Sequence, residues 1–261
     1  MDKPHNRPLL YLDFLGFSEK IMSQTIEQSI AYYKTILGDF EIVTNNSKFK
    51  INFDVVSDSA FLWVDGKNLL ATTKHLFKIA ATLYHNSLLM KRPIRGSIVF
   101  DDFIIGDQEF EIRRTKIATH LILGKAIIGG YRWEQAQDWF GISINPLYLK
   151  VFDAKLPTLL KELATEKNII LYDIPTKFGE IKSYVISGFL KSHIIGVYVL
   201  QENLNKPGKP NHRKVETYSK TLKELKDDVK DFYVLHKLTN TEMLLDYITT
   251  KQLFIDNNKR E

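Results

Sequence analysis

The order of its apolar runs constrains this chain more than any other feature. Runs rich in β-branched and aromatic residues stand at 9–14 (LLYLDF), 50–56 (KINFDVV), 59–64 (SAFLWV) and 94–100 (IRGSIVF). That is the composition of strands. Between the first two lies a helical stretch from Ser18, the predicted N-cap, to about Leu37. Between the third and fourth, segment 66–91 repeats Leu69, Leu76, Ile79 and Leu83 at helical spacing. A helix over 125–139, loosened by Gly129–Gly130, and another over 145–167, interrupted at Pro157, lead to strands at 168–174 and 180–189. The order predicts an α+β fold: a ferredoxin-like βαββαβ core sheet with helices on one face.

A basic stretch rich in Pro, Gly and Asn, 202–214, ends this unit. The chain therefore divides into a domain over 8–200, a basic linker loop over 201–215 and a C-terminal helical extension over 216–261. In the extension Leu222, Leu225, Val229, Phe232 and His236 alternate spacings of three and four. Such a seam packs on the domain or on a second subunit, and an ordinary docked helix is the simpler reading for so short a run.

Composition narrows the chemistry. There is no cysteine, which removes disulfides, thiolate catalysis and Cys-based zinc sites. The histidines (5, 75, 85, 120, 193, 212, 236) form no His-x-x-x-His pair, and His75 and His85 read as surface residues of one long helix. No P-loop and no Gly-x-Ser-x-Gly elbow occurs. The net charge of +5 is a mild excess, and Lys206–Lys214 without interleaved aromatics reads as a solvated loop, not a nucleic-acid surface. No apolar run approaches a membrane span, so a soluble cytoplasmic protein is the expectation.

Two carboxylates remain as candidates. Asp13 ends the first strand and Asp58 sits in the turn between two strands that look hairpin-paired, both away from any obvious internal basic partner. A carboxylate at the end of a buried strand is costly unless a cation meets it. Each alone reads as a turn or cap residue. If the strands are neighbours, the two converge on one divalent cation, since Mg²⁺ takes one or two carboxylates plus phosphate oxygens. Leu15, Gly16, Phe17 and Ser18 follow Asp13 directly and offer backbone N–H groups to phosphate at a helix N-terminus. Asp101 and Asp102, a second carboxylate pair, read better as a turn between two strands.

With these residues in view, the chain resembles the catalytic domain of class III nucleotidyl cyclases over roughly residues 8–190. YLDFLGFS, VVSDSAF, IRGSI and LGKAIIGGYRWEQA resemble, in order, its strand-end aspartate, hairpin aspartate, Arg-x-Gly strand and Gly…Arg-x-Glu helix. LDFLGFS and SDS are closest in style to the pyrimidine cyclases of the Pycsar antiphage system. The resemblance implies a class III cyclase fold. It also implies two Mg²⁺ or Mn²⁺ ions per site on Asp13, Asp58 and the carbonyl of Phe14, with Arg132 at the α-phosphoryl transition state. Because the family's arginine serves the partner's site, it implies a homodimer with interfacial sites and a nucleoside triphosphate substrate.

The resemblance places Asp54 at the base-reading position, with Leu121 and neighbouring His120 at the second. A carboxylate there suits guanine, uracil N3–H or the cytosine amine without choosing among them. Lys182, more than Lys177, is the candidate for the late phosphate-binding lysine. Departures are Ile128, where the family has asparagine, and Ser57 before Asp58. Two function classes follow: a cyclase making a 3′,5′-cyclic nucleotide, of UTP or CTP above all, in antiphage defence, or a cyclase-fold module that binds without chemistry.

Overall fold

The first strand, β1 (His5–Phe14), is buried on both sides. Its even residues Leu10 and Leu12 enter the main core, and its odd residues Leu9 and Tyr11 enter a second cluster with Phe61, Trp63, Val99, Phe103 and Ala126. Alternate residues of a strand face opposite sides, so β1 is covered on both. The computed structural model describes residues 4–45, 47–166, 168–186, 212–229 and 231–257. Most of the basic linker assigned to 201–215 lies outside them.

Two helices follow β1, α1 (Phe17–Met22) and α2 (Ile26–Asn45). One helix from Ser18 was expected. The break has a local cause: Thr25 N–H donates to Gln28 Oε1 at 3.0 Å and Gln28 N–H to Thr25 Oγ1 at 3.3 Å. This is a reciprocal capping box that starts a new helix. Ser18 caps nothing, because α1 begins after Gly16, whose φ of 73° is left-handed and favours glycine.

Next come β2 (Lys50–Val56), β3 (Ser59–Asp65) and α3 (Leu69–Leu89), the last capped by Asn68, whose side chain accepts from Ala71 N–H. Then β4 (Ile94–Ile112) and β5 (Thr115–Gly124) form a long hairpin. Asp101 and Asp102 therefore lie inside a strand and not in the turn expected there. The real turn is Arg113–Arg114, both at positive φ (50° and 73°). Two-residue hairpin turns want Asn-Gly at such angles, so an Arg-Arg turn gives no sequence signal.

The chain continues through α4 (Lys125–Ala136), β6 (Ile142–Ile144), α5 (Leu149–Lys155), α6 (Leu159–Thr165), β7 (Ile169–Thr176) and β8 (Gly179–Ile186). The strands run β2-β3-β1-β4-β6-β8-β7, with β5 hydrogen-bonded to β4. Helices α2 and α3 cover one face. Helix α4 lies on the other, against Tyr11, with Ala126 in the second cluster. The glycine pair does not loosen α4, which runs unbroken; a Cβ on Gly130 would come within 2.9 Å of Tyr11 Cβ.

The C-terminal helices are α7 (His212–Asp228) and α8 (Phe232–Asn257). Helix α7 packs on α3, where Tyr218 hydrogen-bonds His85. That cover corrects the surface reading of both histidines: His85 is buried under α7, and His75 is buried against Ser47 at 2.7 Å. The expected 222–236 seam is not one face, since the helix ends between Leu222, which is buried, and Phe232, which is 74% exposed. Among the described residues no helix is long and apolar enough to cross a membrane.

Candidate active site

Antiparallel pairing sets Asp13 opposite Ser59 on β3 and opposite Arg95 on β4. Phe14 N–H donates to the Asp58 carbonyl at 2.8 Å. The strand end and the hairpin turn are thereby fastened together, and Asp13 and Asp58 become neighbours. Ser57 takes φ 58° to make that turn.

Asp13 is not without a basic neighbour, as had been expected. Arg95 Nη2 lies 4.0 Å from its carboxylate. Arg95 is itself buried and committed elsewhere: it pairs with the fully buried Glu134 and donates to the Gln137 carbonyl at 3.0 Å. Burial, the Glu134 charge and, more weakly, the Asp58 charge push the Asp13 carboxyl up to about 7, against the pull of Arg95 and Lys237. Its negative charge is under-compensated by the protein.

These donors suit a hard divalent cation. Two carboxylates and the Phe14 carbonyl are all oxygen, the set preferred by Mg²⁺ and Mn²⁺. A cation between Asp13 and Asp58 would also offset the burial and the carboxylate repulsion that together raise the Asp13 pKa. Among the described residues no group of three or more His, Asp or Glu side chains converges as a metal cage. The remaining ligands would come from phosphate and water.

The turn after Asp13 is open on one side. A Cβ on Gly16 would meet no atom within 4 Å, and Gly16 and Ser18 are exposed. Leu15 N–H donates to the Pro93 carbonyl at 3.2 Å, which leaves Gly16, Phe17 and Ser18 as the donors a phosphate could meet.

Asp54 and His120, paired in expectation only by a shared role, touch. His120 Nε2 hydrogen-bonds Asp54 Oδ2, and its Nδ1 bonds Asp107 Oδ1 at 2.8 Å. The hydrogen bonds of the two carboxylates, Asp107 first, hold the imidazole above its ordinary pKa. By register Asp54 pairs with Phe61, and Phe61 with Tyr11, so Asp54 faces the same side of the sheet as Asp13. Leu121 is half-buried on β5, opposite Gly106.

Arg132 stands apart from this cluster. Ala126, Gly130, Trp133 and Glu134 form the buried stripe of α4, while Ile128, Tyr131 and Arg132 are exposed. Among the described residues Arg132 has no ion-pair partner. Lys182 is exposed on β8, 3.7 Å from Asp173. The lysine whose charge acts on Asp13 is Lys237 of α8. Sequence reasoning missed Arg95, Glu134 and Lys237 as site residues. The first two sit inside quoted motifs, whereas Lys237 carries no local signal.

No protein-family profile matches this chain, and no curated protein matches it in sequence. Among solved structures it is similar to the adenylyl cyclase CyaB from P. aeruginosa, at 14% identity and a TM-score of 0.50 over 71% of this chain and 96% of that one. It is also similar to the guanylyl cyclase domain of the RhoGC fusion protein from the aquatic fungus Blastocladiella emersonii, at 8% identity and a TM-score of 0.49 over 71% and 98%. The fold is therefore that of the class III nucleotidyl cyclase catalytic domain, with the helices α7 and α8 following its sheet.

Proposed function

We propose that this chain is a metal-dependent nucleotidyl cyclase, converting a nucleoside triphosphate into a 3′,5′-cyclic nucleotide and pyrophosphate. The carrying observation is the junction of Asp13 with Asp58 through the Phe14–Asp58 hydrogen bond. It gathers two carboxylates at a strand end in a fold that class III cyclases use.

In the reaction the ribose 3′-hydroxyl gives its proton to solvent water and its oxygen attacks the α-phosphorus. A new P–O bond forms, and the bond to the β-phosphate oxygen breaks to release pyrophosphate. Asp13, Asp58 and the Phe14 carbonyl would hold divalent cations, which would supply Lewis acidity at the α-phosphoryl group and charge neutralisation for the leaving pyrophosphate. The N–H groups of Gly16, Phe17 and Ser18 donate to the polyphosphate oxygens. Arg132 of the partner subunit meets the α-phosphoryl oxygens as charge builds in the transition state. A homodimer supplies it, consistent with an exposed guanidinium, without an ion-pair partner among the described residues, beside apolar Ile128 (52% exposed) and Tyr131 (51% exposed) on α4.

The base we propose is a pyrimidine. Asp54, oriented by His120, accepts from uracil N3–H or the cytosine amine, and the resemblance of LDFLGFS and SDS to Pycsar cyclases supports both this choice and a role in antiphage signalling. The test is incubation with UTP, CTP, GTP and ATP separately, with Mn²⁺, and detection of cyclic product and pyrophosphate by mass. Cyclic UMP or CMP as the main product supports the full reading. A purine cyclic nucleotide keeps the reaction and overturns the base. No product from any triphosphate overturns the enzyme and favours a binding module.

A further inference from the structure

Helix α8 adds no strand to the sheet, yet it grips the segment that follows α4. Buried Asn240 donates from Nδ2 to the Asp138 carbonyl at 2.6 Å. Thr241, also buried, accepts from Phe140 N–H at 2.9 Å while its hydroxyl donates to the Lys237 carbonyl at 2.8 Å. His236 Nε2 lies 3.1 Å from the Asp138 carboxylate. On its other sides the segment meets β7 and α3: Asp138 N–H donates to the Pro175 carbonyl at 2.9 Å, and the Tyr84 hydroxyl to the Phe140 carbonyl at 3.1 Å.

At the head of this segment stands Gln137, which is fully buried. It holds Arg95 at two points. Its Nε2 donates to the carbonyl of Gly96, the residue after Arg95 in β4, at 2.9 Å, and its own carbonyl accepts from Arg95 Nη1 at 3.0 Å. The Gln137 side-chain oxygen is fixed in turn by Trp139 Nε1 at 2.9 Å and Ser143 Oγ at 2.7 Å. With Glu134 taking Nε as well, the guanidinium stops with Nη2 4.0 Å from the Asp13 carboxylate. A charge-assisted hydrogen bond closes at about 2.7–2.9 Å, so a shift of roughly 1 Å would turn this gap into a direct ion pair. An arginine in direct contact with Asp13 would compete with a divalent cation for the same oxygens.

We propose that Gln137 is a positioning residue that keeps Arg95 off Asp13, and that α8, through Asn240 and Thr241, latches the segment that holds Gln137 in place. Docking of the C-terminal helix is thereby coupled to cation binding at the strand end. That consequence rests on the cyclase reading; the restraint on Arg95 does not.

The test uses the full chain and two readouts: the affinity for Mn²⁺ alone, by calorimetry, and the Arg95 Nε–H signal and its exchange rate, by NMR without metal. The latch variant combines Asn240→Leu with Thr241→Val. It should bind Mn²⁺ about tenfold more weakly, the scale on which the outer supports of a metal site act, and its Arg95 signal should move and exchange faster. Gln137→Met should do the same. Thr241→Ser keeps the hydroxyl and Met243→Gln alters an exposed position of α8, so both should match the wild type. Repeating the latch variant in an Arg95→Met/Glu134→Gln background separates the latch from a general loosening of the fold. There the guanidinium is gone and its buried partner neutral, and the latch substitutions should leave Mn²⁺ affinity unchanged.

An Arg95 signal unmoved in both the latch variant and Gln137→Met overturns the proposal. So does an Mn²⁺ affinity that is unchanged in them, or that falls equally in the Arg95→Met/Glu134→Gln background. If the wild type binds no Mn²⁺ but the Arg95 signal depends on α8, the restraint on Arg95 stands and the cation reading of the site fails. If cyclic product forms while the Arg95 signal stays unmoved, the cyclase reading stands and the latch fails.

Discussion

Phe14 N–H donates to the Asp58 carbonyl at 2.8 Å, and together with the β1–β3 register that bond holds the two flanking acidic residues side by side. If they share a cation, neither can be replaced by an amide without loss. Asp13→Asn and Asp58→Asn should each lower kcat by about a thousandfold or more, each removing a metal ligand from a site that depends on it. In the same variants Mn²⁺ with a non-hydrolysable triphosphate should no longer raise Tm. A variant with full turnover would remove the metal assignment.

Stability should also report on Asp13. Its folded pKa of about 7 lies above the unfolded value near 3.8, so the folded state binds the proton more tightly. The resulting stabilisation is complete below about pH 4 and is lost as pH rises through 7. In chelator, Tm should fall between pH 5 and pH 8, by a free energy on the order of a few kcal/mol. Asp13→Asn should flatten that fall and be more stable than the wild type at pH 8. An identical slope in the variant would assign the titration to another group.

Glu134 is the largest charge raising the Asp13 pKa. Glu134→Gln should therefore lower the Asp13 pKa, read from the carboxyl carbon shift by NMR. Arg95→Met is the harsher change, because it leaves Glu134 fully buried without its partner. Breaking such a pair costs about 3–5 kcal/mol, measurable by urea denaturation. Arg95→Met at wild-type stability would show that the pair is expendable.

Mixed dimers test the shared site. Arg132→Ala should lose about a hundredfold to a thousandfold in kcat, the usual effect of removing one transition-state donor. If the proposed homodimer forms, mixing it with Asp13→Asn subunits should restore part of the activity, since one of its two sites is then complete. No recovery after demonstrated subunit exchange would place the site within one chain.

The Asp54–His120 contact should govern base choice rather than rate. Asp54→Ala should compress the kcat/KM ratios among UTP, CTP, GTP and ATP more than it slows the best substrate, because a hydrogen-bonding site rejects mismatched bases through groups left unpaired. His120→Ala should compress them less, because it only frees the carboxylate that Asp54 presents. Ratios unchanged in both would move the base contact elsewhere.

Much of this was legible in local pattern. The strands at 9–14, 50–56 and 59–64 and the helix over 66–91 follow from period and composition, and Asp13 and Asp58 were visible as acids at strand ends. The long β4–β5 hairpin was not, because its turn is Arg113–Arg114 at positive φ and side chains of that type announce nothing. The burial of His75 and His85 depends on what covers α3, which no local window contains. Gly96 was quoted only as a motif letter. In the fold a Cβ there would sit 2.6 Å from Leu12 Cδ2 and 2.8 Å from the Tyr11 carbonyl oxygen, so the residue measures how closely β1 and β4 approach. Gly96→Ala should cost about 1–3 kcal/mol by overpacking.

The docking of α8 onto the 138–140 segment joins positions about a hundred residues apart along the chain. Contacts of that separation close late, after the loop entropy between them has been overcome. During synthesis the acidic strand end leaves the ribosome long before Lys237 does. A nascent chain can therefore fold its sheet and gather Asp13 with Asp58 while the cation that α8 brings is still missing.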